Sequence, residues 1–210
     1  KSCIRFREGP AWAAHPVEAG VICDAIATPL KVTRKARVAP TDTVAVFGAG
    51  GGLGMQMLKV ARWAHARKVI AVDVMASKFE ACVKAGADAT VDASEGRIAE
   101  QLRELTGGRG IDVAIDFVSA ASTIEPAIAA LGKGGRLVTL GGHGGTVSVK
   151  AGELLRKEIE LLGSRYATRE EVIESLEICA RGEVWPMVTE KVSLAEAGAP
   201  HQRLDKGLIT

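Results

Sequence analysis

The chain alternates between short runs of consecutive apolar residues and longer stretches in which apolar residues recur every three or four positions. The short runs occupy residues 41–48, 68–73, 88–93, 111–118, 136–142 and 158–164. Uninterrupted apolar runs of this length indicate strands that are buried on both faces. The wider spacing is typical of the buried face of a helix. The pattern therefore predicts six alternating strands and helices.

This alternation favours an α/β fold with a doubly wound, six-stranded parallel sheet, the Rossmann fold, in the strand order 3-2-1-4-5-6. We assign residues 40–183 to this domain. Residues 1–39 are interpreted as a connection from a preceding domain, and residues 184–210 as a return segment towards it. Within the first flank, the basic stretch PLKVTRKARVAP is interpreted as a solvated loop. Because the chain lacks an initiator Met and ends at DKGLIT, we expect a fragment of a longer protein.

Composition argues against several classes of partner. The net charge is +2 without a run of lysine or arginine, which argues against nucleic acid. No apolar stretch reaches the ~18 residues that a membrane helix needs. The four cysteines, Cys3, Cys23, Cys82 and Cys179, form no CxxC pair, which predicts free thiols. We expect a cytoplasmic protein without a nucleic-acid or membrane partner.

A glycine-rich loop, GAGGGLG, follows the first predicted strand and begins the first predicted helix. The amide groups at the start of a helix attract phosphate, and glycine lets the backbone approach it closely. The usual GxGxxG spacing does not fit, but Gly48, Gly51 and Gly54 recur every third residue, with Gly50 and Gly52 between them. The loop predicts a dinucleotide site, and a tight turn without a ligand is the alternative.

The second predicted strand ends in an acid, Asp73. It lies 19 residues after Gly54, close to the ~20 residues at which dinucleotide-binding folds carry an acid. A carboxylate at this position accepts hydrogen bonds from the adenosine ribose and repels a 2′-phosphate. Asp73 therefore predicts NAD rather than NADP as the cofactor, and a surface acid at a strand end is the alternative.

Five motifs give the chain a specific resemblance over nearly its whole length. They are VAVFGAGGGLG, VIAVDVMASKFEACVKAGADATVD, LTGGRGIDVAIDFVSA, LGKGGRLVTLGG and RLDKGLIT. Together they resemble the medium-chain dehydrogenase/reductase superfamily, and within it the zinc-dependent alcohol dehydrogenases. The fourth-strand motif DFVSA is similar to the DFVGA-like strand of bacterial secondary-alcohol dehydrogenases.

The resemblance implies further cofactor contacts. Lys78 matches a residue that binds the adenosine ribose, and Leu53 matches one that presses on the nicotinamide ring. Val118, Gly141 and Gly142 match residues that line the nicotinamide. The alternatives are a solvated helix charge for Lys78, plain core for Val118 and a mere turn for the GGHGG loop.

The resemblance also implies a GroES-like, largely β-barrel catalytic domain on the N-terminal side, which would bind a catalytic zinc. The family's third zinc ligand is a Cys, Asp or Glu that precedes AGVT-like text. In HPVEAGVICDAI that position falls on Glu18, and a carboxylate is a suitable zinc ligand. Ile22 then falls where many relatives have a threonine near the nicotinamide. An exposed glutamate at a helix start is the alternative for Glu18.

We therefore predict the nucleotide-binding part of an NAD-dependent, zinc-dependent alcohol dehydrogenase. The full protein would oxidise a small-molecule alcohol, a secondary one, to a carbonyl, and this chain alone would be inactive because no catalytic set is complete in it. A zinc-free quinone or enoyl reductase and a non-catalytic dinucleotide-binding module are the alternatives. The family's assemblies imply a homodimer or homotetramer formed through the edge of the sixth strand.

Overall fold

The computed structural model describes Ile4, residues 10–142 and residues 145–209. Cys3, Thr210, and His143 and Gly144 of the GGHGG loop lie outside the described residues. The strands form a six-stranded, all-parallel sheet in the order β3-β2-β1-β4-β5-β6, which confirms the predicted Rossmann topology. The strands are β1 (Thr43–Phe47), β2 (Lys68–Asp73), β3 (Ala89–Asp92), β4 (Ile111–Asp116), β5 (Leu131–Thr139) and β6 (Glu160–Gly163).

Helices connect these strands and flank them in sequence. The predicted helices are confirmed as α4 to α7 and α9, whereas α8 was not predicted. None of the helices in the described residues is long and apolar enough to cross a lipid bilayer. The helices are α1 (Pro10–Ala14), α2 (Pro16–Ala25), α3 (Ala27–Lys35), α4 (Gly52–Trp63), α5 (Phe79–Lys84), α6 (Ile98–Glu104), α7 (Ala121–Ala130), α8 (Ala151–Lys157), α9 (Arg169–Ala180) and α10 (Gly198–Asp205).

The described residues form two hydrophobic clusters, one on each face of the sheet. Side chains of successive strand residues point to opposite faces, so Val44 and Val46 lie in one cluster while Ala45 and Phe47 lie in the other. Helices α2, α3, α4 and α9 cover the first face, and α6 and α7 cover the second. Burial on both faces explains why the strands read as continuous apolar runs.

The interpretation of PLKVTRKARVAP as a solvated loop is wrong. Most of this stretch belongs to helix α3, in which Pro29, Leu30 and Val32 are buried. A proline is tolerated in the first turn of a helix, because the amide there needs no partner within the helix. Helices α2 and α3 therefore pack onto the same core as the sheet, and the predicted domain limit at residue 39 stays a prediction.

Three of the four basic residues of this segment have acidic partners on other elements. Arg34 pairs with Glu174 of α9, and Arg37 pairs with Glu160 at the start of β6. Lys31 lies 4.0 Å from Glu171. These cations tie α3 to the sheet edge and to α9.

The return segment is bound to one face of α4. The Gln56 side chain donates to the Met187 carbonyl and accepts from the Met187 amide, each at 2.9 Å. Lys59 donates to the Trp185 carbonyl, and Trp63 Nε1 donates to Glu183 at 2.8 Å. Three- and four-residue spacing places these α4 side chains on one face, so this segment runs antiparallel to the helix.

Candidate functional site

The glycine loop connects β1 to α4 and brings the start of the helix close to the strand end. Gly48 has φ +70°, a left-handed conformation that favours glycine. A Cβ added at Gly54 would collide with the Gly48 carbonyl and lie 2.7 Å from Ala49 Cα. Gly54 is therefore required by the contact between helix and strand.

Gly52 has a different environment. A Cβ added there would meet no atom of the described residues within 4 Å. Gly52 is the first residue of α4, and the first amides of a helix have no partner within it. A diphosphate therefore fits this position, because the backbone is open on the side where the helix dipole favours an anion.

Asp73 lies directly beside the loop. Its carboxylate accepts from the Gly50 amide at 2.8 Å and from the Met75 amide at 3.0 Å. A Cβ at Gly50 would come within 2.6 Å of the Lys78 side chain. Lys78 Nζ donates to the Ile209 carbonyl at 3.1 Å, so its amine is held near the loop.

A cleft of about 400 Å³ collects most of the residues that the sequence singles out. It lies at the carboxyl ends of the central strands, where ligands of open parallel sheets bind. Its lining consists of Gly48, Gly51, Gly52, Leu53, Gly54, Asp73, Lys78, Phe117, Val118 and Leu140.

A second cleft of about 460 Å³ adjoins the first at Leu53 and Leu140. It contains Gly141 and Gly142 from the loop after β5. A Cβ at Gly141 would lie 2.5 Å from the Val118 carbonyl, so the chain after β5 presses on the chain after β4. The two clefts together bring most of the residues predicted to bind adenosine and nicotinamide to the carboxyl ends of the strands.

Comparison with known proteins agrees with this geometry. The family model described as zinc-binding dehydrogenase matches residues 52–181, more than half of the chain. The chain belongs to the zinc-binding dehydrogenase family. This membership confirms the predicted medium-chain dehydrogenase/reductase resemblance.

The relatives of this chain have two kinds of name. The NAD-dependent alcohol dehydrogenase of Sulfolobus acidocaldarius is 33% identical over 184 residues, which are 87% of this chain and 53% of that protein. Quinone oxidoreductase-like protein 2 of Mus musculus is 32% identical over 167 residues, 75% of this chain and 47% of that protein. The chain spans about half the length of these curated relatives.

Solved structures show the same relation. The crystal structure of the alcohol dehydrogenase from Aeropyrum pernix superimposes with a TM-score of 0.83 at 32% identity. The match covers 92% of this chain and 56% of that one.

Glu18 and Ile22 are not among the residues that line either cleft. Glu18 lies 3.7 Å from Lys191 Nζ and 4.0 Å from His15. Ile22 is fully buried in the core, and the expectation that it lies near the nicotinamide stays a prediction. Glu18 as a zinc ligand stays a prediction.

Sequence reasoning missed an acid and a threonine that do line the second cleft. These are Asp24 and Thr28, and the Thr28 hydroxyl donates to the Asp24 carboxylate at 2.6 Å. Their four-residue spacing repeats that of Glu18 and Ile22. The text DAIAT fits the acid-to-threonine pattern better than EAGVI does, and this was the signal that could have identified them.

Metal-binding side chains are sparse in the part of the chain that the structure describes. No three His, Cys, Asp or Glu side chains there come close enough together to hold a metal ion. A catalytic zinc site needs three protein ligands and an open position. The described residues therefore form no complete zinc site, and Asp24 is the carboxylate that lines the second cleft.

Proposed function

We propose that the chain is the nucleotide-binding part of an NAD-dependent alcohol dehydrogenase. The observation that carries the proposal is Asp73, a carboxylate bound by the Gly50 amide beside the open face of Gly52. A ribose that bridges to Asp73 would place its phosphates at the start of α4. The relative in Sulfolobus acidocaldarius is named for NAD and for an alcohol, which supports the same cofactor and substrate class.

The residues around Leu53 would hold the nicotinamide half. NAD, when bound, accepts a hydride from the alcohol carbon at nicotinamide C4, while the hydroxyl proton is released. Leu53 would support one side of the ring, and Val118 and Gly141 would line its neighbourhood. These side chains are apolar or absent, so they would orient the ring and exclude water from it.

The first test is calorimetric titration of the chain with NADH and, separately, with NADPH. We expect NADH to bind more tightly, because the Asp73 carboxylate repels a 2′-phosphate. Asp73→Ser should lower the affinity for NADH at least about tenfold, because the variant loses a charged hydrogen-bond acceptor. Serine keeps an oxygen that can accept from the Gly50 amide.

Asp92→Ser is the matched control for this titration. Asp92 ends the neighbouring strand β3 in register with Asp73, but its carboxylate binds Ser94. NADH affinity should therefore not change in this variant. A preference for NADPH would instead favour a zinc-free quinone or enoyl reductase, and binding of neither nucleotide would contradict the proposed cofactor.

The quinone reductase is the second candidate function. The relative named quinone oxidoreductase-like protein 2 supports it, and the extra glycine in the loop is shared with zinc-free members of the superfamily. Asp73 argues against it to the extent that such reductases use NADP. A non-catalytic dinucleotide-binding module is the remaining alternative.

We also propose zinc dependence, with Asp24 as the ligand from this chain. Asp24 lines the second cleft beside Leu53, whereas Glu18 faces Lys191. A zinc ion, when bound, acts as a Lewis acid on the alcohol oxygen. Thr28 would orient the Asp24 carboxylate through its hydroxyl.

Zinc affinity measured by chelator competition would test this assignment in a protein that includes the N-terminal domain. Asp24→Asn should lower the affinity at least about tenfold, because a neutral amide is a weaker ligand than a carboxylate. Glu18→Gln should leave it unchanged. The reverse result would restore the original assignment to Glu18.

The edge of β6 is the proposed contact between subunits of a homodimer or homotetramer. β6 is the last strand in the sheet order, and Leu161 on it is 42% exposed. An exposed edge strand offers unpaired backbone groups to a second copy. We further propose a cytoplasmic location, which the free thiols of Cys23, Cys82 and Cys179 support.

A further inference from the structure

A buried carboxylate lies immediately behind the nicotinamide side of the first cleft. Asp116 is the last residue of β4 and is fully buried. One of its oxygens accepts from the Val118 amide at 2.8 Å. The other accepts from the Ser119 amide at 3.1 Å and from the Thr123 hydroxyl at 2.9 Å.

These hydrogen bonds fix an unusual turn. Ser119 has φ +58°, a left-handed conformation that residues other than glycine seldom adopt. The turn is also held from β5, because the Ser119 and Thr139 hydroxyls are hydrogen-bonded and Gly141 packs against Val118 and Ser119. Asp116 therefore sets the position of Val118, which lines the cleft.

A buried carboxylate at the end of a strand lowers the stability of the fold unless its charge is compensated. Burial raises the pKa of Asp116, and the hydrogen bonds from Val118, Thr123 and Ser119 oppose that shift. Burying a charge is costly unless it is fully hydrogen-bonded. The three donors offset this cost only if the turn keeps its geometry, so the acid and the turn depend on each other.

We infer that Asp116 is a positioning residue for the nicotinamide half of the dinucleotide. It acts through Val118 and Ser119 and does not itself touch the ligand. This inference rests on the proposed dinucleotide binding. It predicts that loss of the Asp116 carboxylate weakens binding of the nicotinamide half alone. Binding of the adenosine half at Asp73 and Gly52 should be preserved.

The test compares two ligands, NADH and ADP, by calorimetry on the same variants. ADP occupies the adenosine and diphosphate positions but has no nicotinamide. In Asp116→Asn the amide nitrogen cannot accept, so the Val118 or Ser119 amide loses its partner. We expect NADH affinity to fall about tenfold or more, and ADP affinity to stay within about twofold.

Asp112→Asn is the matched control. Asp112 lies on the same strand, β4, but its carboxylate accepts from the Thr43 amide at the opposite end of the sheet. The chemical change is identical, and both ligands should bind as they do to the unmodified chain. A general loss of stability in β4 would affect both variants.

A second pair of variants keeps Asp116 and changes the turn. Ser119→Val places a β-branched residue at a left-handed position, whereas Ser119→Gly fits it. We expect Ser119→Val to lose NADH and retain ADP, and Ser119→Gly to bind NADH more tightly than Ser119→Val does. This pair decides the question if Asp116→Asn does not fold.

Two results would overturn the inference while leaving the proposed function intact. The first is an unchanged ratio of NADH to ADP affinity in the folded Asp116→Asn variant. The second, where only the Ser119 pair folds, is equal NADH binding by Ser119→Val and Ser119→Gly. If the unmodified chain bound neither ligand, the proposed function would fail together with the inference.

Discussion

Gly52 and Gly54 are two residues apart in the loop and are glycines for different reasons. Gly54 is enclosed by the backbone of Gly48 and Ala49, whereas Gly52 is open on the side of the cleft. One glycine serves packing and the other leaves room for a ligand. The glycines of the motif therefore meet two separate requirements, close packing at Gly54 and open space at Gly52.

Alanine at each position should separate these requirements. Gly54→Ala should destabilise the fold by roughly 1–3 kcal/mol or more, because its Cβ would overlap the strand end. Gly52→Ala should stabilise α4 by up to about 1 kcal/mol but weaken NADH. Urea unfolding and NADH calorimetry would check both. NADH binding to Gly52→Ala at full strength would show that the diphosphate lies elsewhere.

At the residue scale the sequence singled out the glycine loop and Asp73, which the structure brings together, but it did not distinguish Glu18 from Asp24 as the acid before the domain. The loop directly follows β1 and Asp73 ends β2, so both could be identified from strands that are recognisable in the sequence. Ile22 follows Glu18 by four residues, and Thr28 follows Asp24 by four residues. Spacing alone therefore does not distinguish the two acids. The structure distinguishes them, because Asp24 and Thr28 line the second cleft whereas Glu18 and Ile22 line neither cleft.

At the scale of elements, the strands were predictable because each is buried on both faces. Helix α8 was missed because none of its residues is buried, and a helix without a buried face leaves no apolar period. Helix α3 was missed because its basic residues favoured a solvated loop, although Leu30 and Val32 beside them are buried. The partners that account for those charges, Glu174 and Glu160, are more than a hundred residues away.

The contact between α4 and the return segment gives a prediction for Gln56. Gln56→Leu should leave the Met187 amide and carbonyl without partners, a cost of about 1–3 kcal/mol. Hydrogen exchange measured by mass spectrometry should then accelerate in the peptide that contains residues 183–190. Gln101→Leu on α6, whose side chain binds only the exposed Glu95, is the control. Unchanged protection of that peptide would contradict the assigned contact.

At the scale of the whole molecule, the sheet leaves β6 on one side as an edge. Analytical ultracentrifugation should show a dimer or tetramer, which Leu161→Lys should dissociate because a charge on an edge strand opposes pairing. Leu155→Lys is the control, since Leu155 is 79% exposed and lies on α8, not on the edge strand. A monomeric unmodified chain, or a Leu155→Lys variant that dissociates equally, would argue against this edge.

The bond between Gly50 and Asp73 constrains how cofactor preference can change during evolution. The carboxylate that would read the ribose also completes the backbone of the glycine loop and of the turn at Met75. A substitution that removes both carboxylate oxygens leaves the Gly50 and Met75 amides without acceptors. A change of preference towards nucleotides with a 2′-phosphate is therefore expected to favour residues such as serine or asparagine at position 73, which keep one acceptor oxygen for the loop.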